Sequence, residues 1–196
     1  MRQFIVLGHD APIESDFALS DLAGGAGRLD VLCRCVNSAF FLSHDIREDV
    51  RVHLVLQDEF TVTFEGSDLQ RLNPDERSTA ALVRKALEER EEAIGHIPVE
   101  TSPGVSLRRM GFEDLLDDIG GTIVQLHEDG DAIVEVDAPS DPVFVLSDHH
   151  DFEPWEADLL VEHCDLHVRL GPERLHADHA ITVVQQYLDT DGYTRF

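Results

Sequence analysis

The hydrophobic positions of this chain form two kinds of pattern that alternate along its length. Short apolar runs of the kind that build strands occupy residues 2–8, 50–57, 60–64, 122–126, 133–136, 142–146 and 166–170. Apolar residues three and four positions apart predict a helix through Leu29, Leu32, Cys33, Val36 and Phe40. Strands that alternate with helices predict an α/β fold with a mostly parallel sheet. Since no internal repeat or low-complexity linker interrupts the pattern, we expect one domain over residues 1–196.

Boundary signals predict the remaining helices. Asn73-Pro74-Asp75-Glu76 offers an N-cap asparagine, a proline in the first turn and a glutamate three residues after the cap. This helix is expected to run to about Ile94, with Gly95 as its stop. Residues 98–107 are expected to form a loop. Further helices are expected at 113–119, 153–163 and 176–189.

The charge balance is strongly acidic. Lysine and arginine number 15 against 40 aspartates and glutamates, and the formal net charge is −25. Because the acidic residues are spread through amphipathic segments, the composition is typical of adaptation to very high intracellular salt. At about 1 M salt the Debye length is only about 3 Å, so this charge does not exclude a nucleic-acid partner. Three cysteines, no leader and no long apolar run predict a cytoplasmic protein outside the membrane.

The histidines suggest a metal site. His149 and His150 stand between Asp148 and Asp151, a pattern found in metal-dependent phosphoesterases. No earlier DxD pair completes a two-metal site, and the Cys33-x-Cys35 spacing is shorter than that of a zinc knuckle. We therefore expect no metal, expect the two cysteines to pack in the core, and keep a phosphoesterase as the least favoured function.

The segment from Cys164 to Asp189 predicts a ligand site. Its pattern predicts a short strand, a Gly171-Pro172 turn and an amphipathic helix. Open α/β sheets bind small ligands at the carboxyl ends of their strands, where backbone N–H and C=O groups are left unpaired. The strands at 122–126, 142–146 and 166–170 each end in a polar loop, so these three loops are expected at one edge of the sheet.

Long and unusual stretches of the chain resemble one known family. They are GRLDVLCRCVNSAFFLSHDIREDV (27–50), LNPDERSTAALVRKALE (72–88), PGVSLRRMGFEDLL (103–116), FVLSDHH (144–150) and LGPERLHADHAITVVQQYLD (170–189). They resemble the archaeal tRNA pseudouridine-54 N1-methyltransferases, of the SPOUT class of S-adenosylmethionine-dependent RNA methyltransferases. The similarity runs nearly end to end. It implies a homodimer that methylates N1 of pseudouridine 54 in the T loop of tRNA.

The resemblance also implies a fold and a cofactor site. The fold is an α/β knot, whose C-terminal chain threads through a loop to form a trefoil, with S-adenosylmethionine bound within residues 122–189. The implied cofactor contacts are Leu126, Ser147, Leu170, Gly171, Pro172, Glu173, Arg174, Leu175 and Ala180. Ser147 and Ala180 depart from the family, which generally has glycine near position 147 and sometimes cysteine near position 180.

Candidate catalytic residues follow from the chemistry of methylation at N1. The N1 proton must leave, and the carboxylates of Asp30 and Asp148 are candidates to accept it. We expect Arg28, Arg34 and Arg174 near the nucleotide and its phosphates, with Asp30 orienting Arg34. Two alternatives stay open. The Asp30–Arg34 pair could be an ordinary surface ion pair worth roughly 0.3 kcal/mol, and the protein could be a knotted cofactor- and RNA-binding module without catalysis.

Overall fold

The computed structural model describes every residue from Met1 to Phe196. Its strands are β1 (Arg2–Gly8), β2 (Val50–Leu56), β3 (Phe60–Glu65), β4 (Val99–Ser102), β5 (Val105–Arg108), β6 (Thr122–Ala132), β7 (Pro142–Ser147) and β8 (Leu166–Arg169). Its α-helices are α1 (Leu29–Phe40), α2 (Glu76–Glu88), α3 (Phe112–Asp118), α4 (Pro154–His163) and α5 (Ala177–Asp189). A 3₁₀ turn spans Ile133–Glu135.

All eight strands belong to one sheet in the order β4-β5-β3-β2-β1-β7-β6-β8. Five neighbouring strands, β2, β1, β7, β6 and β8, are parallel to one another. At the other side of the sheet, β3, β5 and β4 add antiparallel pairs. The prediction of an α/β fold with a mostly parallel sheet is therefore confirmed. Because the parallel strands point the same way, the carboxyl ends of β1, β7, β6 and β8 meet at one edge.

Helices cover both faces of the sheet and enclose two cores. On one face, α1, α2 and α5 bury residues such as Leu32, Val83 and Ile181 against the strands. On the other face, α3 and α4 bury Leu115 and Leu160. Successive residues of the central strand β1 supply the two cores alternately, as the two-residue period of a strand requires. None of the helices has the length and apolar character needed to cross a lipid bilayer.

Helix α2 differs from its predicted boundaries at both ends. Its N-cap is Asp75, whose carboxylate accepts a 2.7 Å hydrogen bond from the Ser78 backbone N–H, rather than Asn73. The helix ends at Glu88 instead of Ile94, and the backbone continues in short turns. Four glutamates within residues 88–92 explain the early end, because negative charge at a helix C-terminus opposes the helix dipole.

Two predictions about strands were wrong. Residues 98–107 do not form a loop, because they hold the β4–β5 hairpin around Gly104, and β5 pairs with β3. Residues 133–136 do not form a strand, because β6 itself extends to Ala132 and the 3₁₀ turn follows. The extension is possible because the pairing of β6 with β8 shifts register between Leu126 and Asp131.

Candidate active site

The strand ends bring the three predicted cofactor loops to the same edge of the sheet. Gln125 of β6 pairs with Val145 of β7, and Leu126 pairs with Val168 of β8. Ser147 ends β7 and Leu170 directly follows β8, while Leu126 lies within β6, at the point where its pairing with β8 shifts register. Residues 171–176 form an exposed connection from β8 to α5, and Ala180 is buried one turn into that helix.

Asp148 lies at this edge but is not free to accept a proton from a substrate. Its side chain is 0% exposed. One carboxylate oxygen accepts hydrogen bonds from His9 Nδ1 at 3.0 Å and the His150 backbone N–H at 2.8 Å, and the other accepts from the His9 backbone N–H at 3.0 Å. The carboxylate therefore joins the end of β1 to the loop after β7, which is a positioning role.

His9, which the sequence analysis did not single out, sits between two carboxylates. Its Nδ1 is 3.0 Å from Asp148 and its Nε2 is 3.0 Å from Glu156 in the first turn of α4. Burial alone would lower the pKa of His9, but the hydrogen bonds and negative charges of Glu156 and Asp148 outweigh burial and raise it. The charged imidazolium can donate through both nitrogens at once. The position of His9 directly after a central strand was the signal that could have identified it.

Arg34 is the centre of an ion-pair network that joins three helices. Its guanidinium lies 2.7 Å from Asp30 of α1, 3.3 Å from Glu76 of α2 and 3.4 Å from Asp178 of α5. Asp30 also accepts a 3.0 Å hydrogen bond from Arg28 Nε. The expectation that Asp30 orients Arg34 agrees with this geometry. An isolated surface pair does not, because the side chains of Asp30 and Asp178 are each about nine-tenths buried.

The charge state of Asp30 follows from this network. Burial would raise the pKa of the Asp30 carboxyl, but the hydrogen bonds and charges of Arg28 and Arg34 outweigh burial and lower it. A lowered pKa keeps the carboxylate ionised and makes it a weaker proton acceptor. Asp30 is therefore better suited to holding the two arginines than to acting as a general base.

Asp178 is a second residue that the sequence analysis missed. It lies in the first turn of α5, directly after the exposed 171–176 connection. One of its oxygens is 3.4 Å from Arg34 Nε, while the other is buried and has no hydrogen-bond partner. An unsatisfied buried acceptor is costly, so it favours a donor supplied by a bound molecule.

Most of the other arginines are paired with acids. Arg174 contacts Asp151 in an exposed pair that joins the loop after β8 to the loop after β7. Arg2 and Arg47 both bind Asp189 and so fix the end of α5. Of the three arginines expected near the nucleotide, Arg28 is 40% exposed and Arg34 is 32% exposed, so both retain surface that a substrate can reach.

The structure brings two of the predicted cluster residues, His149 and His150, together with Asp10. His150 Nε2 lies 2.9 Å from Asp10, His149 Nε2 lies 3.9 Å from the same carboxylate, and the three side chains are exposed. This is a group that could hold a metal ion. Asp148 lies 3.6 Å from His149 Nδ1, but its hydrogen bonds go to His9 and to the His150 backbone. Cys33 and Cys35 pack in the core as predicted, and burial raises the pKa of both thiols.

Comparison with solved structures defines the class of protein. The crystal structure of Archaeoglobus fulgidus Nep1 bound to S-adenosylhomocysteine matches this chain with a TM-score of 0.65, covering 94% of this chain and 95% of that one. The sequence identity is 15%, so the likeness concerns the fold alone. This likeness places the chain among α/β proteins that share the fold of Nep1.

Sequence comparison then gives the family. The family described as "Putative SAM-dependent RNA methyltransferase" matches residues 1–193. The tRNA (pseudouridine(54)-N(1))-methyltransferases of Haloarcula marismortui and Haloferax volcanii are 74% and 72% identical over the whole of both chains, and that of Methanococcoides burtonii is 42% identical over 96% of each. The chain belongs to this family of S-adenosylmethionine-dependent RNA methyltransferases, which confirms the resemblance and the cofactor that it implied.

The residues at the strand edge fit this cofactor. S-adenosylmethionine is a sulfonium cation with an ammonium group and hydroxyls, so it brings positive charge and hydrogen-bond donors. The unpartnered Asp178 oxygen is an acceptor beside the 170–175 loop. At Gly171 an added Cβ would meet no atom within 4 Å, so the loop borders open space in which a ligand can lie.

Proposed function

We propose that the protein is a tRNA (pseudouridine(54)-N1)-methyltransferase. The strongest support is the end-to-end match to relatives that carry this activity in their names, at up to 74% identity. The supporting structural feature is the Asp30–Arg34–Asp178 network, in which Asp178 directly follows the connection from β8 to α5. S-adenosylmethionine, when bound, supplies an electrophilic methyl group for in-line transfer to N1, so positioning is expected to supply much of the rate.

The cofactor is assigned to the edge loops. We propose that Leu126, Ser147 and the 170–175 loop offer backbone groups and apolar surface to it, while Ala180 packs beneath. Ser147 ends β7, residues 170–175 connect β8 to α5, and Ala180 lies in α5. Leu126 lies in β6, where the pairing with β8 shifts register. The departure at Ser147 is compatible with this role, because its hydroxyl donates a 2.6 Å hydrogen bond to the His150 carbonyl and so has a partner within the chain.

Binding of the RNA nucleotide is assigned to the start of α1 and its N-cap. We propose that Arg28 and Arg34 hold the nucleotide and its phosphate by bidentate contacts, and that Asp30 orients both guanidinium groups. Asp148, the other residue considered as a base, is assigned to ordering the strand ends through His9. Arg174 remains exposed enough for its Asp151 pair to open when RNA binds.

The C-terminal trefoil knot is a further part of the proposal. The end of β6 and the segment after it lie against β8 and α5, because Arg169 donates a 3.0 Å hydrogen bond to the Gly130 carbonyl of β6 and Tyr187 donates one of 2.5 Å to the Val136 carbonyl. These contacts are compatible with the proposed knot, because they hold residues 130–136 against the chain that runs from β8 into α5. We also propose that residues 1–196 act as one domain in the cytoplasm, with the knot at about 122–189.

Exposed apolar side chains in the region of the proposed knot are consistent with the homodimer that the family resemblance implies. Val161 of α4 is 82% exposed and Val134 is 65% exposed. We propose that a second copy covers part of this surface. Light scattering after size-exclusion chromatography in molar KCl should give a mass near twice 21.9 kDa. A mass equal to one chain at all concentrations would reject the dimer.

Methyl transfer to defined RNA tests the proposed function. The protein in molar KCl is incubated with labelled cofactor and either tRNA that contains pseudouridine at position 54 or the same tRNA with uridine there. Labelling is expected only with pseudouridine. Equal labelling of the two RNAs would reject the specificity, and binding of cofactor and tRNA without any labelling would favour a non-catalytic module.

A chelator tests the remaining alternative, which is a metal-dependent phosphoesterase. Methylation is expected to be unchanged by EDTA, because the transfer needs no Lewis acid. Loss of activity with EDTA and recovery with added Mn²⁺ would instead assign a role to Asp10, His149 and His150.

A further inference from the structure

A pocket lies at the carboxyl ends of β1 and β2. Its volume is about 250 Å³, and its walls come from β1, the β2–β3 turn, α3 and α4. The residues that matter for its chemistry are His9, Gln57, Asp58, Phe112, Trp155 and Glu156. We call it the Trp155 pocket. Neither the cofactor assignment nor the Arg34 network uses it.

The pocket offers hydrogen-bond acceptors. Glu156 is 4% exposed, and its Oε2 accepts hydrogen bonds from the Glu153 backbone N–H at 2.7 Å and from His9 at 3.0 Å. Its Oε1 has no hydrogen bond within the chain. Asp58 likewise uses Oδ1 to accept a 2.7 Å hydrogen bond from the Phe112 backbone N–H and leaves Oδ2 free. A ligand must therefore donate hydrogen bonds and carry no negative charge.

The pocket also offers an aromatic surface whose plane is fixed. The Trp155 indole is 38% exposed, packs edge-on against Phe112 at 6.4 Å and donates a 2.7 Å hydrogen bond to Glu153. Proteins hold unstacked RNA bases by stacking them on such side chains. Since the pocket is smaller than the roughly 300–1,000 Å³ of sites for drug-sized ligands, it suits one planar ring system.

We propose that the Trp155 pocket receives one unpaired base of the RNA substrate, and that this base carries an exocyclic amino group, as adenine, cytosine and guanine do. The base would stack on Trp155 and donate its N–H groups to Glu156 and Asp58. The carboxylates repel phosphate, so the sugar and phosphate lie outside the pocket. The inference rests on the proposed action on RNA, and it names a second base contact beside the base that is methylated.

Trp155 reports on its own pocket, because it is the only tryptophan in the chain. Its fluorescence is measured in molar KCl during titration with adenosine, cytidine and uridine, which carry no phosphate, and with substrate tRNA. Saturable quenching is expected with adenosine or cytidine and with tRNA, and uridine is expected to bind at least about tenfold more weakly. No response to any of these nucleosides or to tRNA, or an equal response to all three nucleosides, would overturn the proposal.

An Asp58→Asn variant tests the acceptor role. Asp58 has a positive φ of 55°, which asparagine also tolerates, so the turn is retained. The new amide places a donor where an acceptor was, and binding of the amino-bearing nucleoside is expected to weaken about tenfold. The exposed Asp68→Asn variant removes one charge elsewhere and is the control. Equal affinities in Asp58→Asn and the wild type would contradict the assigned contact.

Steady-state methylation separates this inference from the proposed function. Trp155→Ala is expected to raise the KM for tRNA about tenfold, with kcat and the KM for cofactor little changed, and Trp155→Phe is expected to restore most of the affinity. If the wild type methylates tRNA but Trp155→Ala has the wild-type KM, the pocket proposal fails and the function stands. If the wild type methylates no RNA, the function fails, and the nucleoside titration still decides whether the pocket binds bases.

Discussion

At the scale of single residues, the position of Arg34 between three carboxylates has a consequence for stability. Arg34→Ala would leave Asp30 and Asp178 largely buried without a cation. We expect a loss of roughly 1–3 kcal/mol in the free energy of unfolding, less than for a fully buried pair because Arg34 is 32% exposed. Urea unfolding at constant KCl measures this loss.

Arg174→Ala is the matched control for that measurement, because its pair with Asp151 is exposed on both sides. Its cost is expected to stay below about 0.5 kcal/mol. Arg34→Ala should also reduce tRNA methylation more than cofactor affinity. If the two variants lose the same stability, Arg34 and Asp30 form only an ordinary surface pair.

His53 provides a prediction about pH. It is buried between Thr63 at 3.0 Å and Gln3 at 3.3 Å, and burial lowers its pKa to about 3, with smaller effects from Arg108 and Arg51. Between about pH 6.5 and 3 the unfolded chain binds a proton that the folded chain excludes, so stability is lost as pH falls through this window. His53→Gln should therefore show a shallower loss of unfolding free energy from about pH 6.5 to 4.5.

The exposed His44→Gln variant controls for the substitution itself. Its pH slope should match the wild type. A wild-type slope in His53→Gln would mean that His53 does not exclude the proton.

At the scale of elements, the connection from β8 to α5 is the part of the cofactor site that can be tested without disturbing the fold. At both Gly171 and Gly120 an added Cβ would meet no atom within 4 Å. Gly171→Ala should therefore leave stability unchanged but lower the affinity for S-adenosylmethionine about tenfold or more, because the methyl group enters the space assigned to the cofactor.

Gly120→Ala is the matched control and should change neither property. Isothermal titration calorimetry and thermal unfolding measure the two quantities on the same samples. Unchanged cofactor affinity in Gly171→Ala would place the cofactor elsewhere on the edge.

Two elements, the β4–β5 hairpin and the end of α2, differ from their predictions for physical reasons. The β4–β5 hairpin was missed because its strands are four residues long and contain several polar residues. Val105 and Leu107 are the fully buried apolar residues of the hairpin, and β5 is stable as a strand because it pairs with β3. The end of α2 was missed because apolar spacing continues past the point where clustered glutamates stop the helix.

At the scale of the whole molecule, the net charge of −25 predicts a dependence on salt. Mutual repulsion of surface carboxylates destabilises the folded chain at low ionic strength, and screening removes it. The urea midpoint is expected to rise substantially between about 0.2 M and 2 M KCl. Sucrose at equal osmolality, which is excluded from the surface but screens no charge, is expected to give a smaller rise. Equal effects of the two solutes would contradict a screening mechanism.

The sequence alone determined the order of most elements, the mostly parallel sheet and the family, because apolar periodicity and long matching stretches are local properties of the chain. It also placed Ser147 at the end of β7 and Leu170 directly after β8, and parallel topology brings these strand ends to one edge. It ended β6 too early at Leu126, because the strand continues to Ala132. Only the tertiary structure decided which polar groups meet. His9 with Asp148 and Glu156, and Arg34 with Asp178, are joined across 139 to 147 positions in the first case and across separate helices in the second. Such pairings depend on how the strands and helices pack, and no spacing along the chain records them.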